Sequence, residues 1–161
     1  MGILEEIADE VRKLKTIDDM LRIAISIEEQ NRDFYQEKVS KIKNVSVTKL
    51  YSYLAREEGK HAEYLRNYQK NKIVLDIDSK TPDFKPVFDA EFTNERLHEI
   101  GVYLAALRLE RKTEYFYMQL SKHTDNTVLS EFFDKLASIE RGHYELIDGF
   151  LEYATQFRMQ T

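Results

Sequence analysis

The sequence contains no cysteine, only five glycines and only two prolines in 161 residues. The missing cysteine excludes a disulfide framework and every thiolate-ligated centre, whether zinc, iron–sulfur or rubredoxin-type. Scarce glycine and proline leave few places to turn, and with abundant Glu, Lys, Leu and Ile they point to a few long helices. A formal charge of −5 comes without any basic stripe, so nucleic acid is not an expected partner. No stretch approaches the ~18 apolar residues of a membrane span. The opening MGILEEIADEVRKLK lacks the basic region and apolar run of a secretory signal, so a cytoplasmic protein is expected.

What is present fits a single soluble domain, with 42% hydrophobic and 33% charged residues. Ile3, Leu4, Ile7, Val11 and Leu14 recur at helical spacing and predict a short amphipathic helix over residues 2–14. Thr16 and Asp19 resemble a capping box, after which the apolar period predicts a helix over 17–41. Ser46 is the expected cap of a second helix ending near residue 71. Residues 71–92 hold both prolines and no helical period, which suggests a crossover connection between two helical pairs. Thr93 opens a third helix near residue 94, running to about 121, and a fourth runs from about 127. The expected fold is all-α: a four-helix bundle of two hairpins, 17–70 and 94–158, joined by the long crossover.

Shifted by 82 residues, the sequence matches itself without a gap. Glu28 falls on Glu110, Phe34 and Tyr35 on Phe116 and Tyr117, Leu54 and Ala55 on Leu136 and Ala137, Glu58 on Glu140, His61 on His143, and Glu63 on Glu145. Each hairpin therefore carries a Glu on its first helix and Glu-x-x-His on its second. The helical neighbours of Glu28, Glu58, Glu110 and Glu140 are mostly apolar or aromatic, which places these four and the two histidines on the inward stripe. A lone Glu-x-x-His is ordinarily an exposed pair; two copies at one offset, each with a partner Glu, are a set.

Several carboxylates in a dry interior repel one another and need positive charge. Four carboxylates balance two divalent cations, and oxygen with imidazole donors suits iron or manganese. A Glu from each of two helices with Glu-x-x-His from each of the other two is the pattern of the di-iron and di-manganese carboxylate bundles.

The segments IEEQNRDFY and LERKTEYFY, with EEGKH and IERGHYE, resemble the rubrerythrin-type branch of the ferritin-like superfamily. The resemblance covers both hairpins. It implies two iron ions, with manganese the alternative, held by terminal ligands Glu28 and Glu110, bridging ligands Glu58 and Glu140, and His61 and His143. It also implies that Tyr35 and Tyr117 orient carboxylates. Two departures stand out. Full rubrerythrins carry a cysteine-ligated rubredoxin iron, whereas this chain must take electrons from an external donor protein. Rubrerythrins also have a further glutamate three residues after the third-helix ligand, where this chain has Thr113, with Glu114 one residue on.

The resulting expectation is a di-iron oxidoreductase reacting with hydrogen peroxide or O₂, as a peroxidase or Fe(II) oxidase in oxidative stress or iron metabolism. The alternative is a structural or adaptor bundle whose metal site is vestigial or only stabilising. Glu29, Glu57, Glu63, Glu145, His98 and His123 are expected at the surface. Gly59 and Gly142, beside the Glu-x-x-His motifs, predict either a close helix approach or a local distortion. A homodimer is expected, with Phe84, Val87 and Phe88 of the crossover as contact candidates.

Overall fold

The computed structural model describes residues 2–77, 80–87 and 94–159. Five helices and no strand occur among these residues: α1 (Ile3–Arg12), α2 (Ile17–Lys41), α3 (Val45–Asn71), α4 (Asn94–His123) and α5 (Thr127–Met159). Helix α2 pairs with α3 and α4 with α5, giving two hairpins. No described helix is long and apolar enough to cross a membrane.

Local chemistry sets the boundaries. Thr16 accepts a hydrogen bond from the Asp19 amide at 3.0 Å and starts α2 at the expected residue. The cap of α3 is Asn44, not Ser46: its side chain accepts from the Ser46 and Val47 amides, and the Ser46 hydroxyl donates back to it. An Asn carboxamide reaches two amides of the first turn, so it displaces the serine two residues on. Lys72 closes α3 in the left-handed conformation, with φ of 58°. Helix α1 spans 3–12, shorter at both ends than the expected 2–14. The two hairpins extend to 71 and 159, one residue beyond the predicted 70 and 158. Thr93, the expected cap of α4, and Phe88 lie outside the described residues.

The buried apolar side chains form two clusters. One gathers Leu21, Leu65, Phe116, Leu120, Leu129 and Phe133 towards the α2 N-terminus. The other gathers Val47, Leu50, Leu54, Val102, Ala106 and Phe150 towards the opposite end. Helix α1 lies against α4, packing Ile7, Val11 and Leu14 on the first cluster. His123, expected at the surface, is half-buried and bonds through Nε2 to the Leu14 carbonyl at 2.6 Å, tying the end of α4 to the end of α1.

The crossover runs back along the bundle without regular structure over 72–77 and 80–87. Ile77 is buried in the first cluster. Phe84 packs on Tyr53, and the Val87 carbonyl accepts from Asn44 at 2.9 Å. A Cβ on Gly142 would lie 3.1 Å from the Thr81 hydroxyl, so the crossover passes over α5 at close range there. At Gly59 the nearest contact would be Arg32 Cδ at an ordinary 3.6 Å.

Candidate metal centre

Between the two apolar clusters lies one polar layer. Helix α2 supplies Glu28, α3 supplies Glu58 and His61, α4 supplies Glu110, and α5 supplies Glu140 and His143. The four glutamates are 0% exposed and the two histidines 1%. All six side chains singled out from the sequence meet at this layer.

They form two groups whose ligand atoms lie within 4.8 Å of one another: Glu28, Glu58, His61 and Glu140; and Glu58, Glu110, Glu140 and His143. Glu58 and Glu140 belong to both. His61 Nδ1 lies 3.1 Å from Glu140 and 3.4 Å from Glu28, and His143 Nδ1 lies 3.2 Å from Glu58 and 3.7 Å from Glu110. The two imidazoles stack, with centroids 5.9 Å apart and planes 7° apart, so their Nδ1 atoms face the same layer.

The tyrosines cross over. Tyr35, on the helix of Glu28, donates to Glu110 at 2.6 Å, and Tyr117, on the helix of Glu110, donates to Glu28 at 2.5 Å. Burial, reinforced by the nearby carboxylates, keeps both phenols well above their ordinary range, so they remain donors. Each hairpin thus fixes the outer carboxylate of the other.

The electrostatics separate the inner carboxylates from the outer. Burial first, then the facing carboxylates, push Glu58 and Glu140 well above the usual range. Burial works upward at Glu28 too, but His61, Glu58 and Tyr117 together outweigh it and the group sits low. At Glu110 the bond from Glu140 and the charge of His143 prevail over burial in the same way. Burial works downward on both histidines, yet Glu28 and Glu110 raise His61 and His143. The layer thus favours bound positive charge, and divalent cations would compete with protons for it.

The donor set fits two such ions. Glu28 Oε2, both Glu58 oxygens, Glu110 Oε2, Glu140 Oε2 and His143 Nδ1 are buried without a hydrogen-bond partner among the described residues. Buried polar atoms are ordinarily paired. Unpaired atoms gathered in one layer, all hard oxygen or borderline nitrogen, are what a pair of iron or manganese ions would satisfy.

The surroundings differ on the two sides. Towards α1, Asn31 Nδ2 donates to Thr113 Oγ1 at 3.0 Å, a buried pair between positions related by the 82-residue repeat. Both sit one turn from an outer glutamate. They line a cavity of about 200 Å³ shared with Ile7 and Glu10 of α1. Glu114 turns away towards Arg141, at 4.0 Å. Glu63 and Glu145 are exposed and paired with Arg66 and Arg141, as expected. His98 is exposed, and Glu29 faces Arg66 at 2.7 Å. Glu57 is more covered than expected, at 12% side-chain exposure, beneath Lys60 and the Tyr53 hydroxyl. Towards the crossover, His143 meets the edge of Tyr53 at 5.9 Å. The sequence reading missed the Asn31–Thr113 bond, the crossed tyrosines and Tyr53. The repeat was a signal for the first two, because a pseudo-two-fold axis brings equivalent positions together.

The rubrerythrin family model matches residues 19–151. A solved structure, a hypothetical protein from Pyrococcus furiosus, is similar with a TM-score of 0.69 and 25% identity, over 91% of this chain and 96% of that one. No curated protein matches the sequence.

Proposed function

The chain belongs to the rubrerythrin family of ferritin-like di-iron carboxylate proteins, and on that premise we propose that it is a di-iron oxidoreductase acting on a small oxidant, hydrogen peroxide or O₂. The observation that carries this reading is the pair of buried four-residue groups sharing Glu58 and Glu140. Glu28 and His61 would hold one ion, Glu110 and His143 the other, and Glu58 and Glu140 both. Iron bound there would supply one reversible electron per ion.

The rest is the work of the chain. Tyr35 and Tyr117 hold the outer carboxylates by short bonds across the bundle. The two apolar clusters keep bulk water from either end of the layer. The cavity of about 200 Å³ beside Asn31 and Thr113 has room for a diatomic or peroxide. Thr113 stands where rubrerythrins carry a further glutamate, and its hydroxyl is engaged by Asn31 and the Leu109 carbonyl. The reading is therefore of a six-residue centre, without the ligand exchange that glutamate supports.

The test is to load the metal-free protein anaerobically with Fe(II), count iron per chain, and add hydrogen peroxide while recording near-ultraviolet absorption. Two irons per chain and a rapid rise of charge-transfer absorption are expected. Stoichiometric metal that raises the melting temperature but leaves peroxide unconsumed would overturn the reading in favour of a stabilising site.

A further inference from the structure

These residues include no cysteine to ligate an electron-transfer centre, and one surface groove is suited to docking a donor. Beside the crossover is a surface groove of about 450 Å³ lined by Lys43, Lys49, Arg56 and Phe84, with no acidic side chain on its walls among the described residues. The three cations are exposed, and Val45, 68% exposed, stands at the rim. The groove also has a floor that leads inward. Phe84 contacts Tyr53 with ring centroids 5.4 Å apart, and Tyr53 contacts His143 edge-on at 5.9 Å. His143 is in the buried layer itself.

We propose that this groove docks a small acidic protein that carries single electrons, and that Phe84 and Tyr53 form the contact path from it to His143. Charge complementarity names the partner's surface: a cationic groove attracts an anionic patch. The ring path names its task. Electron tunnelling weakens steeply across gaps and less so through packed matter, and no side chain other than Tyr53 is needed between Phe84 and the imidazole. Each encounter oxidises the carrier by one electron; two carriers supply the two electrons that a di-iron centre takes up. The Tyr53 hydroxyl bonds to Glu57 at 3.3 Å, which holds the ring in place and leaves its edge on His143. This inference rests on the di-iron reading above.

The experiment uses the iron-loaded full chain and, as probe, a small acidic [2Fe–2S] ferredoxin, with sodium dithionite as a carrier-independent reductant. Binding is measured by NMR titration of the labelled chain, and electron delivery by stopped-flow absorbance of the probe. Shifts should gather at Lys43, Lys49, Arg56 and Phe84 and fade with added salt. The double reversal Lys49→Glu/Arg56→Glu should weaken binding about tenfold or more at low salt. Tyr53→Leu should slow delivery from bound probe while leaving affinity unchanged, and Tyr53→Phe, which keeps the ring, should restore it. Dithionite should reduce all variants alike. Unchanged affinity in the double reversal, or unchanged delivery in Tyr53→Leu, overturns the proposal. So does conversion of a dimer to a monomer by the double reversal, which would mean a second copy covers the groove. Failure of dithionite to reduce the wild-type centre would remove the di-iron reading and this one with it.

Discussion

Replacing Glu58 with Gln separates a metal site from a structural polar layer. Glu58 is fully buried, neither of its oxygens has a hydrogen-bond partner among the described residues, and it faces Glu140, Glu28 and Glu110. In the metal-free protein burial and the facing carboxylates hold its carboxyl well above the ordinary range, which favours the neutral form that Gln mimics. Gln has nearly the same shape and no charge. The metal-free variant is therefore expected to melt within about 1 kcal/mol of wild type. The metal-bound protein behaves differently, because Glu58 belongs to both four-residue groups and its loss weakens both. Free metal at a hundredfold excess over Kd stabilises by about 2.7 kcal/mol, a rise in Tm of roughly 5–10 °C for a chain of this size. If Gln weakens binding a hundredfold, the same metal concentration leaves only about 0.4 kcal/mol. Thermal melts with and without Fe(II) under anaerobic conditions, with equilibrium dialysis for affinity, measure both quantities. Glu63→Gln, at an exposed repeat position, is the control and should change neither. The reasoning is refuted if Glu58→Gln strongly destabilises the metal-free protein yet keeps the full metal-dependent shift.

Four other outcomes are expected. Metal-free stability should fall as pH rises above the ordinary glutamate value of 4.5 and further above the ordinary histidine value of 6.5, because Glu58, Glu140, His61 and His143 all bind protons more tightly folded than unfolded, whereas Glu28 and Glu110, shifted low, titrate below that range; urea titrations at each pH read this, and metal affinity should rise over the same range. Tyr117→Phe should weaken metal binding roughly 10–100-fold by freeing Glu28, as dialysis would show. Thr113→Val removes the acceptor of the buried Asn31 amide and should cost about 1–3 kcal/mol in a denaturant melt. Gly59→Ala, with an ordinary 3.6 Å contact, should stabilise by about 0.5–1 kcal/mol, while Gly142→Ala must push Thr81 aside from 3.1 Å and should gain less or lose.

Helix existence was legible because each long helix carries its own period and signals: Thr16 with Asp19 for α2, the apolar stripe through Leu50, Leu54 and Leu65 for α3. The cap of α3 was not, since Asn44 and Ser46 are both good N-caps and only the backbone path decides between them. The six side chains of the buried layer were legible through repetition, which turned an ordinary Glu-x-x-His into a paired set. Which tyrosine serves which glutamate was hidden, because the sequence places Tyr35 beside Glu28 and the fold places it on Glu110. The contacts of the crossover were illegible for a plainer reason. Residues without a period state no face, so nothing in the sequence set Phe84 on Tyr53 or Thr81 over Gly142.

That contrast bears on how the molecule gives direction to its chemistry. The repeat builds a layer that is symmetric in kind: two outer glutamates, two shared ones, two stacked imidazoles, two crossed tyrosines. A symmetric centre has no intrinsic side for oxidant and no side for reductant. On the proposed reading, the segments outside the repeat would supply both. Helix α1 closes the outer-glutamate face and leaves the small cavity at Asn31 and Thr113. The crossover covers the histidine face and puts aromatic contact between His143 and a cationic surface. Among the described residues His61 has no equivalent ring, since position 135, the counterpart of Tyr53, is Lys135, paired instead with Asp76. An oxidant arriving on one face and electrons on the other would keep a reduced carrier from meeting the oxidant directly, and that separation follows from the two unrepeated segments.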